Sequence, residues 1–350
     1  MKTLLVTGGC GFIGSHTCLS LLEKNFNVIV VDSNINSKKI ALDRIIDIGN
    51  LENKKYAKKL SFIKGDIRDY SILDSIFLNA ILNKKPVEGV IHFAGLKAVE
   101  ESVKDPLRYW DNNLCGSINL FKVMQKYKCQ NIVFSSSATL YGNSSKKLIP
   151  ENESLVPCNT YGNTKLGIEK ILNELFVSSN GNWKIANLRY FNPIGAHPSA
   201  LIGENPSNLP NNLFPFICKV ASGEIKELKI YGKDWDTPDG TCIRDFIHVM
   251  DLADAHIEAI NYLFANTPEV LNLNIGTGLG TSVLDLVKTF IDVNQVDIPF
   301  VFTNRRKGDV KMVVADNKLA IKKLNWLPVR NLKDMCLDGW RWQKNNPNGF

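Results

Sequence analysis

Along the first half of the chain, apolar residues fall into short uniform runs separated by stretches with helical spacing. Thr3–Thr7 is the first run, and Phe12–Lys24 follows with Ile13, Leu19 and Leu22 at helical intervals. Asn27–Val31 is a second strand ending in Asp32, and Leu60–Lys64, Gly89–Phe93, Asn131–Ser135 and Lys184–Tyr190 continue the series. Helices are predicted over Ile72–Leu82, Leu107–Tyr127 and Tyr161–Phe176. Each strand is apolar throughout rather than alternating, as strands are when helices cover both faces of a sheet. The pattern predicts an α/β fold built on a doubly wound, parallel, Rossmann-type sheet.

Beyond Phe191 the texture changes. Asn192–Pro215 is rich in Pro, Asn and Gly and has no periodic run, and a loop of that length is usually functional. Further on, Asp251–Phe264 and Val283–Val293 read as helices and Leu271–Ile275 as a strand. We expect a nucleotide-binding domain over residues 1–190 and a smaller mixed α/β substrate domain over 191–350, with some crossing of the chain between them. Trp326, Trp340 and Trp342 are expected to pack the C-terminal helix.

Composition narrows the class. A hydrophobic fraction of 44% and a charged fraction of 22% exclude disorder, collagen-like fibre and coiled coil. The formal net charge is only +7, and the run Lys54, Lys55, Lys58, Lys59 has a single aromatic neighbour, Tyr56. It reads as a solvated face, so neither nucleic acid nor membrane is expected as a partner. No apolar run reaches eighteen residues, and the opening MKTLLVTGG breaks at glycines, which makes it a strand rather than a signal peptide. The eight cysteines are scattered without C-x-x-C spacing, as buried thiols in a reducing, cytoplasmic setting would be. No metal is expected: His248 and His256 lack a third ligand, and His92 reads as packing.

Two motifs carry chemistry. Gly8, Gly11 and Gly14, with Phe12 and Ile13 opening the helix, form G-x-x-G-x-x-G between the first strand and first helix. Glycine lets the backbone turn tightly and approach a pyrophosphate seated on the helix N-terminus. Asp32, at the end of the second strand, can accept both ribose hydroxyls and repel a 2′-phosphate. Ser33 and Asn34 offer no cation for such a phosphate, so the expected cofactor is NAD. The second motif is Tyr161 with Lys165, four residues apart on one helix face. An ammonium about 5 Å from the phenol contributes roughly 3 kcal/mol at an effective dielectric near 20, or about two pKa units. Lys165 is thereby expected to make Tyr161 a usable proton acceptor. Ser135, Ser136 and Ser137 end the fifth strand, where one hydroxyl, taken as Ser137, is placed to hold or pass the substrate proton.

These residues, with HFAGLKAVEESV, SSSATLYG, RYFNPIGAHPS, PNNLFPF, RDFIHVMDLADAH and RRKGD, resemble the extended short-chain dehydrogenase/reductase family along nearly the whole chain. Within it the resemblance is to nucleotide-sugar 4-epimerases, and it implies interconversion of UDP-glucose and UDP-galactose on tightly held NAD by a homodimer. By the same resemblance, Asp32, Asn36, Ser37, Asp66, Ile67 and Lys97 hold the adenosine and phosphates, beside Phe93, Ala94, Gly95 and Asn112, and Tyr190 packs near the nicotinamide. Asn192, Asn212, Leu213, Tyr231, Arg244, Arg306 and Asp309 are implied to bind UDP, and Val313 to line the pocket beside the sugar 2-substituent. A small residue there implies acceptance of N-acetylated UDP-hexoses as well. The related 4,6-dehydratases require an Asp-Glu pair where this chain has Ser137-Ala138-Thr139, so elimination lacks its acid and base. An intact Tyr161, Lys165 and Ser137 argue against a non-catalytic NAD sensor.

Overall fold

The apolar runs form β1 (Thr3–Thr7), β2 (Asn27–Asp32), β3 (Leu60–Lys64), β4 (Val87–His92), β5 (Asn131–Ser137) and β6 (Lys184–Tyr190). A seventh strand, β7 (Val270–Ile275), comes from beyond residue 190 and pairs with β6. The sheet runs β7-β6-β5-β4-β1-β2-β3 and every pairing is parallel. The order reverses between β1 and β4, and such a switch opens a crevice at the C-terminal strand ends. The computed structural model describes residues 1–206, 212–306 and 308–350. Parts of the PNNLFPF and RRKGD strings therefore lie outside the described residues.

Helices cover both faces of the sheet. On one side α1 (Phe12–Glu23) and α2 (Ile40–Leu51) bury Leu19, Leu22, Ile45 and Ile48 against the strands. On the other, α3 (Tyr70–Leu82), α4 (Gly116–Lys126) and α5 (Thr160–Ser178) bury Leu73, Phe77, Leu120, Met124, Ile168 and Leu172. The helix α6 (Val249–Ala265) returns from the second half to the first face, where Leu252 and Ile260 join that core. Residues past 190 thus complete the larger layer as well as building the smaller one. The smaller layer packs Ile217, Leu286, Phe290 and Cys336 around helices Leu213–Ala221, Val283–Asn294 and Leu332–Asn345. The two layers are stitched where Ile149 N donates to Val314 O at 2.8 Å and Asp316 N to Ile149 O at 2.9 Å.

Three expectations need correction. The stretch Leu107–Tyr127 is not one α-helix: Pro106–Tyr109 gives way to a π-helical turn at Trp110–Cys115 before α4 begins. Hydrophobic spacing cannot register this wider turn, because the apolar side keeps facing the core on both sides of it. The turn buries Asn113, whose amide accepts from Leu96 N at 2.7 Å and donates to Leu96 O at 3.1 Å and Thr164 Oγ1 at 3.0 Å. Trp326 lies in the first core and donates to Asp251 O at 3.0 Å, whereas Trp340 and Trp342 are on the C-terminal helix. Six cysteines are buried, but Cys115 and Cys158 are exposed, and all eight are free thiols.

Candidate active site

The crevice begins with the turn between β1 and α1. Gly8 holds φ +71°, a left-handed value that favours glycine, and a Cβ there would stand 2.7 Å from Ala94 N. A Cβ on Gly14 would stand 2.4 Å from Gly8 O. The turn closes on itself through Gly11 N to Gly8 O at 3.1 Å. Helices α3 and α5 have side-chain caps, from Asp69 and Asn159. Helix α1 has none, and its first turn carries no acid. Its leading amides are therefore free to meet an anion, which the macrodipole also favours.

Asp32 ends β2 beside this turn. One of its oxygens accepts from Cys10 N at 2.9 Å, and the other accepts from Asn34 N at 2.9 Å and Ser37 Oγ at 2.8 Å. A carboxylate has about four lone-pair sites, so accepting capacity remains after these three bonds. Phe93, Ala94 and Gly95 follow β4 next to Gly8, where Ala94 N donates to Thr7 O at 3.1 Å. Ile67 and Asn112 are buried, and Asn36 is exposed. Asp66 is engaged by Arg68 at 2.8 Å, and that hydrogen bond holds its carboxyl below the usual range. Lys97 is paired with Glu204 at 3.2 Å, and Asn212 Nδ2 donates to the same Glu204 oxygen at 3.4 Å. One carboxylate thus links a residue expected at the cofactor to one expected at the substrate. Taken together, the glycine cradle, the uncapped helix and the end-of-strand acid fit a dinucleotide such as NAD.

Tyr161 and Lys165 sit in the first turns of α5, opposite the end of β5. Burial pushes the Tyr161 phenol above the ordinary tyrosine range, and the adjacent Ser137 hydroxyl works in the opposite direction. Ser137 Oγ also accepts from Thr139 N at 3.2 Å and Thr139 Oγ1 at 2.9 Å. The Lys165 ammonium is buried beside the end of β5. It donates to Ser135 O at 2.6 Å and lies 4.8 Å over the Phe134 ring and 5.9 Å from the Tyr161 ring centre. Burial pulls its pKa down to about 7, against the pull of Glu169. Tyr190 ends β6, donating its phenol proton to His256 Nε2, whose Nδ1 bonds Leu252 O at 2.8 Å. His92 is buried between Thr7 and Ser117 at 2.7 and 2.8 Å, and burial lowers its pKa to about 3, so it packs and does not titrate near neutrality.

Across the crevice the smaller layer contributes cations. Arg306 lies 4.4 Å over the Tyr231 ring, and Arg244 Nη2 is 3.4 Å from Asp309. Val313 is in register with Arg244, only partly buried, and packed against the cluster of Tyr141, Ile149, Phe191 and Ala315. Asn192 opens the short strand Asn192–Ile194, and Leu213 the helix that packs the third core. Sequence reasoning passed over Asn113, Glu169 and Glu204, and saw His256 only as a rejected metal ligand, because each acts through a partner more than fifteen residues away.

The family model described as GDP-mannose 4,6 dehydratase matches residues 5–338, and the chain belongs to that family. Within it, the chain is 45% identical over 347 residues to the UDP-glucose 4-epimerase of Bacillus subtilis (strain 168), covering 99% of this chain and 98% of that one. It is also similar to the UDP-glucose 4-epimerase of Stenotrophomonas maltophila, solved with NAD and formylated UDP-arabinopyranose. That match has a TM-score of 0.92, 42% identity and coverage of 99% and 98% of the two chains. The enzyme of Bifidobacterium longum, solved with NAD+ and UDP, matches with a TM-score of 0.90, 43% identity and full coverage of both. The fold and the nucleotide-sugar epimerase resemblance are borne out. Among the described residues no helix is long and apolar enough to cross a membrane.

Proposed function

We propose that the protein is an NAD-dependent 4-epimerase interconverting UDP-glucose and UDP-galactose through a 4-keto sugar. The observation that carries this reading is the pairing of the α1 glycine cradle with Tyr161 and Ser137 at the neighbouring strand ends. Gly8, Gly11, Gly14 and the α1 amides would hold the pyrophosphate of NAD, and Asp32 the adenosine ribose. When bound, NAD supplies a hydride acceptor and donor for C4 of the sugar. Tyr161 takes the proton of the sugar 4-hydroxyl and later returns it, with Ser137 sharing the hydrogen bond. Lys165 supplies positive charge near the phenol. Arg244 and Arg306 suit the diphosphate of UDP, since guanidinium forks match phosphate oxygens. Tyr231, Asn192, Asn212, Leu213 and Asp309 complete that end of the crevice.

Dehydration is disfavoured on the same geometry. Ser137, Ala138 and Thr139 lead into a short 3-10 turn and provide no carboxylate beside Tyr161. We also place the enzyme in the cytoplasm as a homodimer, supported by its eight free thiols and by the family resemblance. Substrate breadth rests on Val313. Val313 is only partly buried in register with Arg244, and Leu213, which could otherwise crowd the sugar, packs against the third core. The pocket would therefore accept an acetamido group, extending the reaction to UDP-N-acetylglucosamine and UDP-N-acetylgalactosamine. The test is whether purified protein carries NAD and equilibrates UDP-galactose with UDP-glucose without added cofactor. An absence of turnover in protein loaded with NAD refutes the reading.

A further inference from the structure

Behind the reactive face of α5 lies a buried ionic assembly that the reaction as described does not use. Glu169, one turn beyond Lys165 on the same helix, is 5% exposed, and Arg189 on β6 is 2% exposed. The Arg189 guanidinium grips the Glu169 carboxylate with Nε at 3.0 Å and Nη2 at 2.7 Å. Ser136 Oγ donates to the same carboxylate at 2.5 Å, while the preceding residue on β5, Ser135, gives its carbonyl to Lys165. Arg189 Nη1 is held in turn by Tyr141 Oη and Glu151 O, both at 2.9 Å. The guanidinium that grips Glu169 is thus itself anchored. Three hydrogen bonds hold the carboxylate in place one turn from Lys165.

Lys165 needs such a neighbour. Its ammonium is enclosed by the Ser135 carbonyl and the Phe134 and Tyr161 rings, and among the described residues no carboxylate bonds it directly. The groups around it are Tyr161 and Glu169 on α5, Phe134 and the Ser135 carbonyl on β5, and His92 on β4. Among these, Glu169 is the one carboxylate. We propose that Glu169 is a positioning residue for the reaction: clamped by Arg189 and Ser136, its carboxylate keeps Lys165 an ammonium facing Tyr161. This rests on the epimerase reading, in which Tyr161 is the proton acceptor.

The consequence concerns where the last proton of the Tyr161–Lys165 pair resides. Once the pair has lost one proton, phenolate with ammonium and phenol with free amine are alternatives of equal charge, and only the first accepts a proton from the sugar. Removing the Glu169 charge shifts the balance to the second form. An opposite charge at this range is worth about one pKa unit or more, hence about tenfold in the productive form. Below the lysine pKa both proteins hold the ammonium, and the difference vanishes.

The test compares wild type, Glu169→Gln, Glu169→Asp and the double variant Glu169→Gln/Arg189→Met, each as NAD-loaded full chain converting UDP-galactose. The double variant removes the uncompensated buried guanidinium that would destabilise the single one. We expect kcat of Glu169→Gln and of the double variant to lie within about twofold of wild type near pH 6 and about tenfold below it at pH 8. KM for UDP-galactose should be unchanged, and Glu169→Asp should recover most of the loss. The ultraviolet phenolate signal of Tyr161, taken as a difference from Tyr161→Phe, should fall by the same factor at pH 8. A loss uniform across pH, or full recovery in the double variant, overturns the proposal by showing that Glu169 serves only as the partner of Arg189. If wild type loaded with NAD does not turn over, the epimerase reading itself falls, and this proposal with it.

Discussion

Replacing Gly14 by alanine tests the nucleotide site with the smallest possible change. The added Cβ would stand 2.4 Å from Gly8 O, 2.8 Å from Gly9 Cα and 3.1 Å from Gly8 C. An ordinary carbon–oxygen contact is about 3.3 to 3.6 Å, so the β1–α1 turn must open by about 1 Å. All three contacts are backbone atoms of the turn itself, so no flexible side chain can absorb the shift. Overpacking of this kind costs about 1 to 3 kcal/mol. If the strain is relieved by opening the turn, that cost is felt in NAD affinity as a loss of roughly five- to 150-fold. Gly223→Ala is the control. It has φ +79° and nothing within 4 Å of the new Cβ, so it bears backbone strain alone, in the smaller layer after helix Leu213–Ala221. NAD carried through purification, its dissociation constant by titration, and the rise in melting temperature on adding NAD are the three readouts. Gly14→Ala should lose bound NAD and most of the thermal shift, while Gly223→Ala keeps both. If Gly14→Ala binds NAD within twofold of wild type, the turn is not the pyrophosphate cradle.

Tyr161→Phe should lower turnover at least about a hundredfold with NAD still bound, and retention of a tenth of wild-type activity would unseat Tyr161 as the acceptor. Asp32→Ala should weaken NAD more than UDP in binding titrations; equal losses would misplace the ribose. Val313→Tyr should abolish conversion of the N-acetylated pair and spare UDP-galactose, and a wild type inactive on the acetylated pair would refute the open pocket. His16 and His92, with pKa lowered by burial to about 3, and His256, lowered to about 4, stay neutral in the folded state. Unfolded histidine takes up a proton below about pH 6.5, so each should cost about 1.4 kcal/mol of stability per pH unit from there down to its folded pKa. A melting temperature that is flat between pH 7 and 5 would contradict that burial.

Signals confined to neighbouring residues were legible in the sequence, and those depending on distant pairing were not. The six strands β1 to β6 were visible because each is a dense apolar run. The cofactor turn was visible because its glycines, the following helix and Asp32 lie within one strand–helix–strand unit. Leu271–Ile275 read as a strand, yet its place at the edge of the main sheet was hidden, since register is set by a partner far away in the chain. The two-residue strands Ile243–Arg244, Thr281–Ser282 and Met312–Val313 are too short to show any period. Tyr161 and Lys165 lie on one helix, as their spacing predicts, but the state of Lys165 was not readable from it. Burial beneath Phe134, the Ser135 carbonyl and the Glu169 carboxylate are tertiary facts, and together they set the charge that spacing alone took for granted.

The placement of β7 also bears on how the chain is made. Asn187 on β6 donates to Asn272 on β7 at 2.8 Å across a separation of 85 residues. During synthesis β6 therefore leaves the ribosome well before its neighbour exists, exposing a row of unpaired backbone groups along buried-type sequence. At typical elongation of about 5 to 20 residues per second, that edge stays open for several seconds or more. A long apolar edge is a template for pairing with another chain, so nascent or truncated forms ending before residue 270 should be chaperone clients that aggregate when released. Helix α6, made just before β7, covers one face of the same strands but cannot cap the edge. A chain ending before β7 would keep the whole cofactor turn and still be unable to finish its sheet.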